Sequence, residues 1–148
     1  MVSTIVDEGT GAGAPDWPEV RRLALRAEAA GLDSLWVIDH LVLGNEQRPE
    51  YGLHEAIAVL SALAATTTRV QLGTLVLATS FRPPAVLAKM AATIDRISQG
   101  RLILGLGCGW HQPEYDAFGF PFDHRVGRFE EAMAIIGPLL EGERVTMQ

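Results

Sequence analysis

The chain has 148 residues, of which 48% are hydrophobic and 20% charged, the composition of one folded domain with a sizeable core. Its net charge of −6 argues against a broad nucleic-acid face, which needs clustered Lys and Arg. No apolar run nears the ~20 residues of a membrane span, no secretion signal opens the chain, and the single cysteine suits a reducing compartment, so a cytoplasmic protein without membrane partners is expected.

Residues 1–15 are Gly/Ala-rich, and the expectation is disorder or a degenerate first strand, with STIV at residues 3–6 as the candidate. Asp16 followed by Glu19 reads as a helix start. Val20, Leu23, Ala24 and Ala27 then recur at helical spacing, and Gly31 supplies the stop. SLWVID (residues 34–39) is a short apolar strand, followed by a polar loop containing Asn45, Gln47, Arg48 and Pro49. A second helix is expected over residues 54–65 and a second buried strand, VQLGTLVL, over 70–77. Pro83 and Pro84 open a third helix, with Leu87, Met90, Ala91 and Ile94 as its apolar stripe. RLILGL (residues 101–106) is again a strand, and Phe129, Ala132, Met133, Ile136 and Leu140 mark a fourth helix. Arg125 and Arg128, close to Glu130 and Glu131, read as its solvated start.

Apolar strands alternating with helices about every 30–36 residues predict parallel βαβ units. A doubly wound sheet and a β/α barrel share that pattern. In both, chemistry gathers at the carboxyl ends of the strands. Those ends hold Asp39 and His40, then Thr74 with Thr79 and Ser80, then Gly107, Cys108, Gly109, Trp110 and His111.

The GLGCG run at residues 105–109 is neither of two familiar glycine motifs. In a dinucleotide fingerprint the third glycine would fall at Trp110. A nucleophile elbow centred on Cys108 would need glycines where Leu106 and Trp110 stand. What remains is a strand end whose glycines let a flat ligand approach the backbone. Asp39 and His40 have two readings: a carboxylate and imidazole serving a cofactor edge and a proton relay, or a turn cap and a backbone partner. A metal set of His40, His111 and Glu114 matches no strong ligand spacing, so no metal is expected. Cys108 lacks an evident activating base. Trp110, beside Tyr115, Phe118, Phe120 and Phe122, is a ring-stacking platform or loop packing.

Together, AEAAGLDSLWVIDH (27–40), the stretch from VQLGTLVL to FGFPF (70–122), and RVGRFEEAMAII (125–136) resemble the bacterial luciferase-like superfamily of flavin- and deazaflavin-dependent oxidoreductases. The resemblance implies an α/β fold of the eight-unit β/α (TIM) barrel type, with residues 1–148 as its N-terminal half and about four βα units present. It further implies coenzyme F420, with FMN as the alternative, and hydride transfer between the cofactor ring and a small organic substrate. On that basis Asp39 would bind the ring edge and His40 would be the catalytic proton donor or acceptor. Thr74, Leu75 and Val76 match the bulge under the ring, where a non-proline cis peptide is characteristic, and Cys108 and Gly109 match the backbone edge beside it. In sugar-phosphate dehydrogenases of this kind an acidic residue follows the glycine matching Gly109; Trp110 stands there instead, which argues against glucose-6-phosphate as substrate. A full barrel needs ~250 residues, so a truncated chain is expected that self-associates or lacks its C-terminal half. The alternative is a non-catalytic half-barrel that binds flavin or serves assembly.

Overall fold

The computed structural model describes residues 2–4, 14–45 and 48–146. Its central feature is a four-stranded sheet in the order β1 (Val2–Thr4), β2 (Ser34–Val37), β5 (Gln71–Thr74), β7 (Leu102–Ile103), every neighbouring pair parallel. Helices α1 (Trp17–Ala29), α2 (Ala56–Thr66), α3 (Pro84–Ser98) and α5 (Arg125–Leu140) follow successive strands. This is the expected barrel-type architecture with four βα units, a partial barrel. The first strand lies one residue earlier than the STIV candidate, whose last two residues fall outside the described ones.

Local chemistry accounts for the helix ends. Asp16 caps α1 by accepting the Glu19 N–H at 3.0 Å, and Gly31 turns the chain at φ +84° beyond its last residue. Glu55 caps α2 through the Ala58 N–H at 2.7 Å, and Pro84 occupies the first turn of α3. Leu35, Leu72 and Leu102 lie side by side on the helix-facing side of the sheet. There they meet Val20 and Ala24 of α1, Leu60 and Leu63 of α2, Leu87 and Ile94 of α3, and Ile136 of α5. Leu23, Met133 and Leu140, expected in the apolar stripes, are exposed; each stripe is narrower than its sequence pattern because the helices touch the sheet along one line.

The opposite row of the sheet is Trp36, Gly73 and Ile103. Trp36 lies flat against Gly73, where a Cβ would come 2.8 Å from the indole Cδ2, and its Nε1 donates to Ser34 Oγ at 2.8 Å. At the amino end of the strands Arg101 donates to the carbonyls of Ala64, Thr67, Val70 and Ser98, tying the end of α2 to the sheet. Glu28 of α1 accepts the N–H groups of Thr68, Arg69 and Val70 and the Thr68 hydroxyl.

Two elements depart from the sequence reading. The polar loop is an antiparallel hairpin, β3 (Val42–Asn45) with β4 (Arg48–Gly52), whose register shifts between Leu43 and Asn45. Gly44 permits this shift, since a Cβ there would stand 2.8 Å from the Glu50 Cα. A short helix, α4 (Gln112–Phe118), fills what read as a Pro-rich loop. No helix among the described residues is long and apolar enough to cross a membrane.

Candidate functional site

Both long strands expected in the second half of the chain break at the same level. The β5–β7 ladder ends at the Gly73–Ile103 pair, and pairing resumes between β6 (Leu77–Ala78) and β8 (Leu106–Gly107). Between the two ladders the Thr74 side chain bridges the gap. Its Oγ1 donates to the Gly105 carbonyl at 2.7 Å and accepts the Gly105 N–H at 2.8 Å. The intervening Leu75–Val76 peptide is cis. Both side chains stand out from the sheet, 48% and 43% exposed, although the segment is flanked by fully buried Thr74 and Leu77.

These two side chains form one wall of a cavity of about 350 Å³ at the carboxyl ends of the strands. His40 and Asp39 close it on the β2 side, and Gly107, Cys108, Gly109 and Trp110 on the β8 side, with Ala78, Phe81 and Glu114 completing the lining. Thus Asp39, His40, Leu75, Val76, Cys108 and Gly109 come together. Thr74 does not line the cavity, because its hydroxyl is used inside the sheet.

Asp39 lines the wall, yet its carboxylate faces away into the protein. It takes a bidentate pair of bonds from Arg82, both 2.8 Å, and the Ala78 N–H at 2.9 Å. The carboxylate is fully buried and so is committed to Ala78 of β6 and to Arg82 just before α3, not presented to a ligand. Arg82 also pairs with Glu55, the cap of α2. Burial acts to lower the Arg82 pKa, but the two carboxylates outweigh it and raise it above the ordinary value. Burial likewise pushes Glu55 up, but the Arg82 guanidinium and the Ala58 N–H hold it below the usual carboxylate range.

His40 is fixed by a group that the sequence reading met only as a weak metal ligand. Its Nδ1 lies 2.8 Å from Glu114 Oε2. Glu114, its side chain 1% exposed, accepts the Leu41 and Val42 N–H groups on its other oxygen. The imidazole packs edge-on against Trp110 and His111, with centroids 5.5 and 6.0 Å away. Among the described residues no group of three or more His, Cys, Asp or Glu side chains is placed to hold a metal ion.

The glycine-rich strand end is shaped by this chain's own atoms. A Cβ on Gly105 would strike the Thr74 carbonyl, one on Gly107 would lie 2.8 Å from Val76 Cγ2, and one on Gly109 would overlap the Tyr115 hydroxyl. The close approach that these glycines allow is therefore made first by the protein itself. Tyr115, fully buried, donates to the Cys108 carbonyl at 2.8 Å, and burial raises its pKa. Arg125 is not a solvated helix start: it donates to the Gly109 carbonyl at 2.8 Å and lies 4.1 Å above the Phe122 ring. Arg82, Tyr115 and Arg125 went unread as site residues. Tyr115 and Glu114 ride on α4, whose signals were Pro113 in the first turn and Gly119 at its end.

Strand carboxyl ends around a mostly apolar cavity, with one oriented imidazole in its wall, make the face of a partial β/α barrel at which barrels of this type generally carry their sites. The chain belongs to the luciferase-like monooxygenase family, whose model matches residues 1–148. It is 40% identical over 131 residues to the F420-dependent glucose-6-phosphate dehydrogenase of Amycolatopsis mediterranei, covering 84% of this chain and 38% of that one. To the 5,10-methylenetetrahydromethanopterin reductase of Methanolobus tindarius it is 33% identical over 129 residues, covering 87% and 36%. The crystal structure of monooxygenase RslO1 from Streptomyces bottropensis matches with a TM-score of 0.76 at 32% identity, over 88% of this chain and 39% of that one. The chain thus spans less than two fifths of the length of these relatives.

Proposed function

We propose that this chain supplies the ring-binding half of an oxidoreductase that transfers a hydride between coenzyme F420 and a small organic substrate, with FMN as the alternative cofactor. The observation that carries the reading is the exposed Leu75–Val76 platform facing His40 and the Gly107–Trp110 edge across one cavity. The F420 dependence of the Amycolatopsis relative supports the choice of cofactor.

The residues present fit a flat tricyclic ring. The cavity volume falls within the ~300–1,000 Å³ of small-molecule sites, and two apolar side chains offer a surface on which a ring can lie. When bound, the deazaflavin supplies the hydride-accepting or hydride-donating centre. Leu75 and Val76 support it, Cys108 and Gly109 border it, and Asp39 acts indirectly by holding Arg82 and the Ala78 N–H so that the platform keeps its position. His40 handles the proton that accompanies hydride transfer, at the nitrogen that does not face Glu114. Trp110 occupies the place of an acidic residue in sugar-phosphate dehydrogenases, so the substrate is an organic molecule other than glucose-6-phosphate. Among the described residues β1 and β7 each have one ladder neighbour, which leaves their outer backbone groups available for pairing. Further βα units, on the same chain or another copy, complete the working site.

Fluorescence titration of the protein with F420, and separately with FMN, tests the reading. Saturable F420 binding weakened by a charge placed on the platform (Val76→Asp) is expected. Binding of neither cofactor, or binding indifferent to that substitution, would overturn it, and an assembly completed by further βα units that binds coenzyme but never turns over would favour the non-catalytic half-barrel.

A further inference from the structure

We infer that Glu114 is a positioning residue that sets the tautomer of His40 and thereby decides which way that imidazole can move a proton. The relevant atoms form a closed set. One Glu114 oxygen takes two consecutive backbone N–H groups, Leu41 and Val42, and the other meets His40 Nδ1 at 2.8 Å. Three successive residues leaving β2 are thus gripped by a single buried carboxylate from α4, 72 to 74 positions further along the chain.

An ionised carboxylate offers acceptors only, so the ring nitrogen facing it carries the hydrogen. Neutral His40 is then the Nδ1–H tautomer, with an unprotonated Nε2. Such a ring accepts a proton at Nε2 and cannot donate one there until it has been protonated. The same logic operates where a carboxylate orients a histidine beside a metal or a nucleophile, and where the wrong tautomer costs activity while the geometry survives. Trp110 and His111 restrict the ring from its other sides, so ring rotation is not an easy escape.

Nitrogen-15 NMR of histidine-labelled protein at about pH 8.5, where an ordinary imidazole is neutral, reads the tautomer directly and needs no cofactor. The His40 signals are identified by their loss in His40→Asn. The wild type should show Nδ1 protonated. In Glu114→Gln the amide oxygen can still accept the Leu41 and Val42 N–H groups while its NH₂ faces the ring, so His40 should switch to Nε2–H with amide dispersion retained. Nε2–H in the wild type, or the same tautomer in both proteins, would overturn the inference. If Glu114→Gln does not fold, the wild-type tautomer alone still decides.

The catalytic consequence rests on the oxidoreductase reading. In the turnover-competent assembly, Glu114→Gln should lower kcat about 10–100-fold with coenzyme Kd unchanged. An unchanged kcat would overturn this consequence. Failure of the wild type to bind coenzyme would sink the oxidoreductase reading and leave the tautomer result standing.

Discussion

Gly109 and Tyr115 make a pair whose energetics can be worked out before measurement. Gly109 sits at φ +73°, a conformation that costs an L-residue roughly 1–2 kcal/mol. An alanine Cβ there would overlap the Tyr115 hydroxyl, with the ring Cζ at 2.9 Å and Cε2 at 3.2 Å behind it. Tyr115 is fully buried, so it must give up its 2.8 Å bond to the Cys108 carbonyl to make room. A buried partner left unsatisfied adds about 1–3 kcal/mol. Gly109→Ala should therefore cost about 2–5 kcal/mol in total. Tyr115→Phe alone loses the same hydrogen bond, at about 1–3 kcal/mol, but also removes the nearest of the atoms that block the alanine, leaving the ring Cζ at 2.9 Å. The double variant should accordingly be more stable than the sum of the two losses predicts, by about 1–2 kcal/mol. Urea unfolding followed by circular dichroism, with m-values compared across the four proteins, measures the cycle. Additive losses within about 0.5 kcal/mol would refute the steric argument.

Other expectations follow from the ionic groups. The Glu28 carboxyl is pushed up by burial, but the N–H groups of Arg69, Thr68 and Val70 and the Thr68 hydroxyl outweigh this and hold it down at about 2. A lowered carboxyl stabilises the fold above the ordinary value of 4.5, and that stabilisation is lost as pH falls toward 2. Discounted for partial exposure, Glu28→Gln should cost about 1–2 kcal/mol at pH 7, and the difference should vanish near pH 2; a loss independent of pH would contradict the assignment. Arg82→Met strands the buried Asp39 carboxylate and should destabilise by about 3–5 kcal/mol, with Arg82→Lys losing less because it keeps the charge but not the fork; equal thermal stability of wild type and Arg82→Met would show that the cluster contributes nothing. In a turnover-competent assembly, His40→Ala should depress kcat more than coenzyme affinity. Weaker coenzyme binding with unchanged saturated turnover would make His40 a binding contact only.

The regular parts of the fold were legible because local signals and packing agree there. Asp16 caps the helix that its spacing to Glu19 announced, Pro84 stands in the first turn of α3, and the apolar strands lie parallel, with β2 and β5 mostly buried and β7 partly so. The hairpin was not legible, since a run holding Gly44 and Pro49 lacks the alternation of a half-buried strand. Helix α4 was hidden for a related reason: seven residues give too few turns for a period to emerge.

Alternation and apolar runs are carried by neighbours in the chain, and through them the amino-acid order alone settled the βα rhythm and the strand ends at which Asp39, His40, Cys108 and Gly109 would gather. Leu75 and Val76 were reached only through the family resemblance. Which atoms those residues leave for a ligand depends on partners far away in sequence. The Asp39 carboxylate is consumed by Arg82, 43 positions on, and the Thr74 hydroxyl by Gly105, 31 positions on. His40 is oriented by Glu114 at a separation of 74. Hydrogen bonds act over about 3 Å in space and carry no imprint on local residue order, so the working roles of these side chains were decided only when the strands came together.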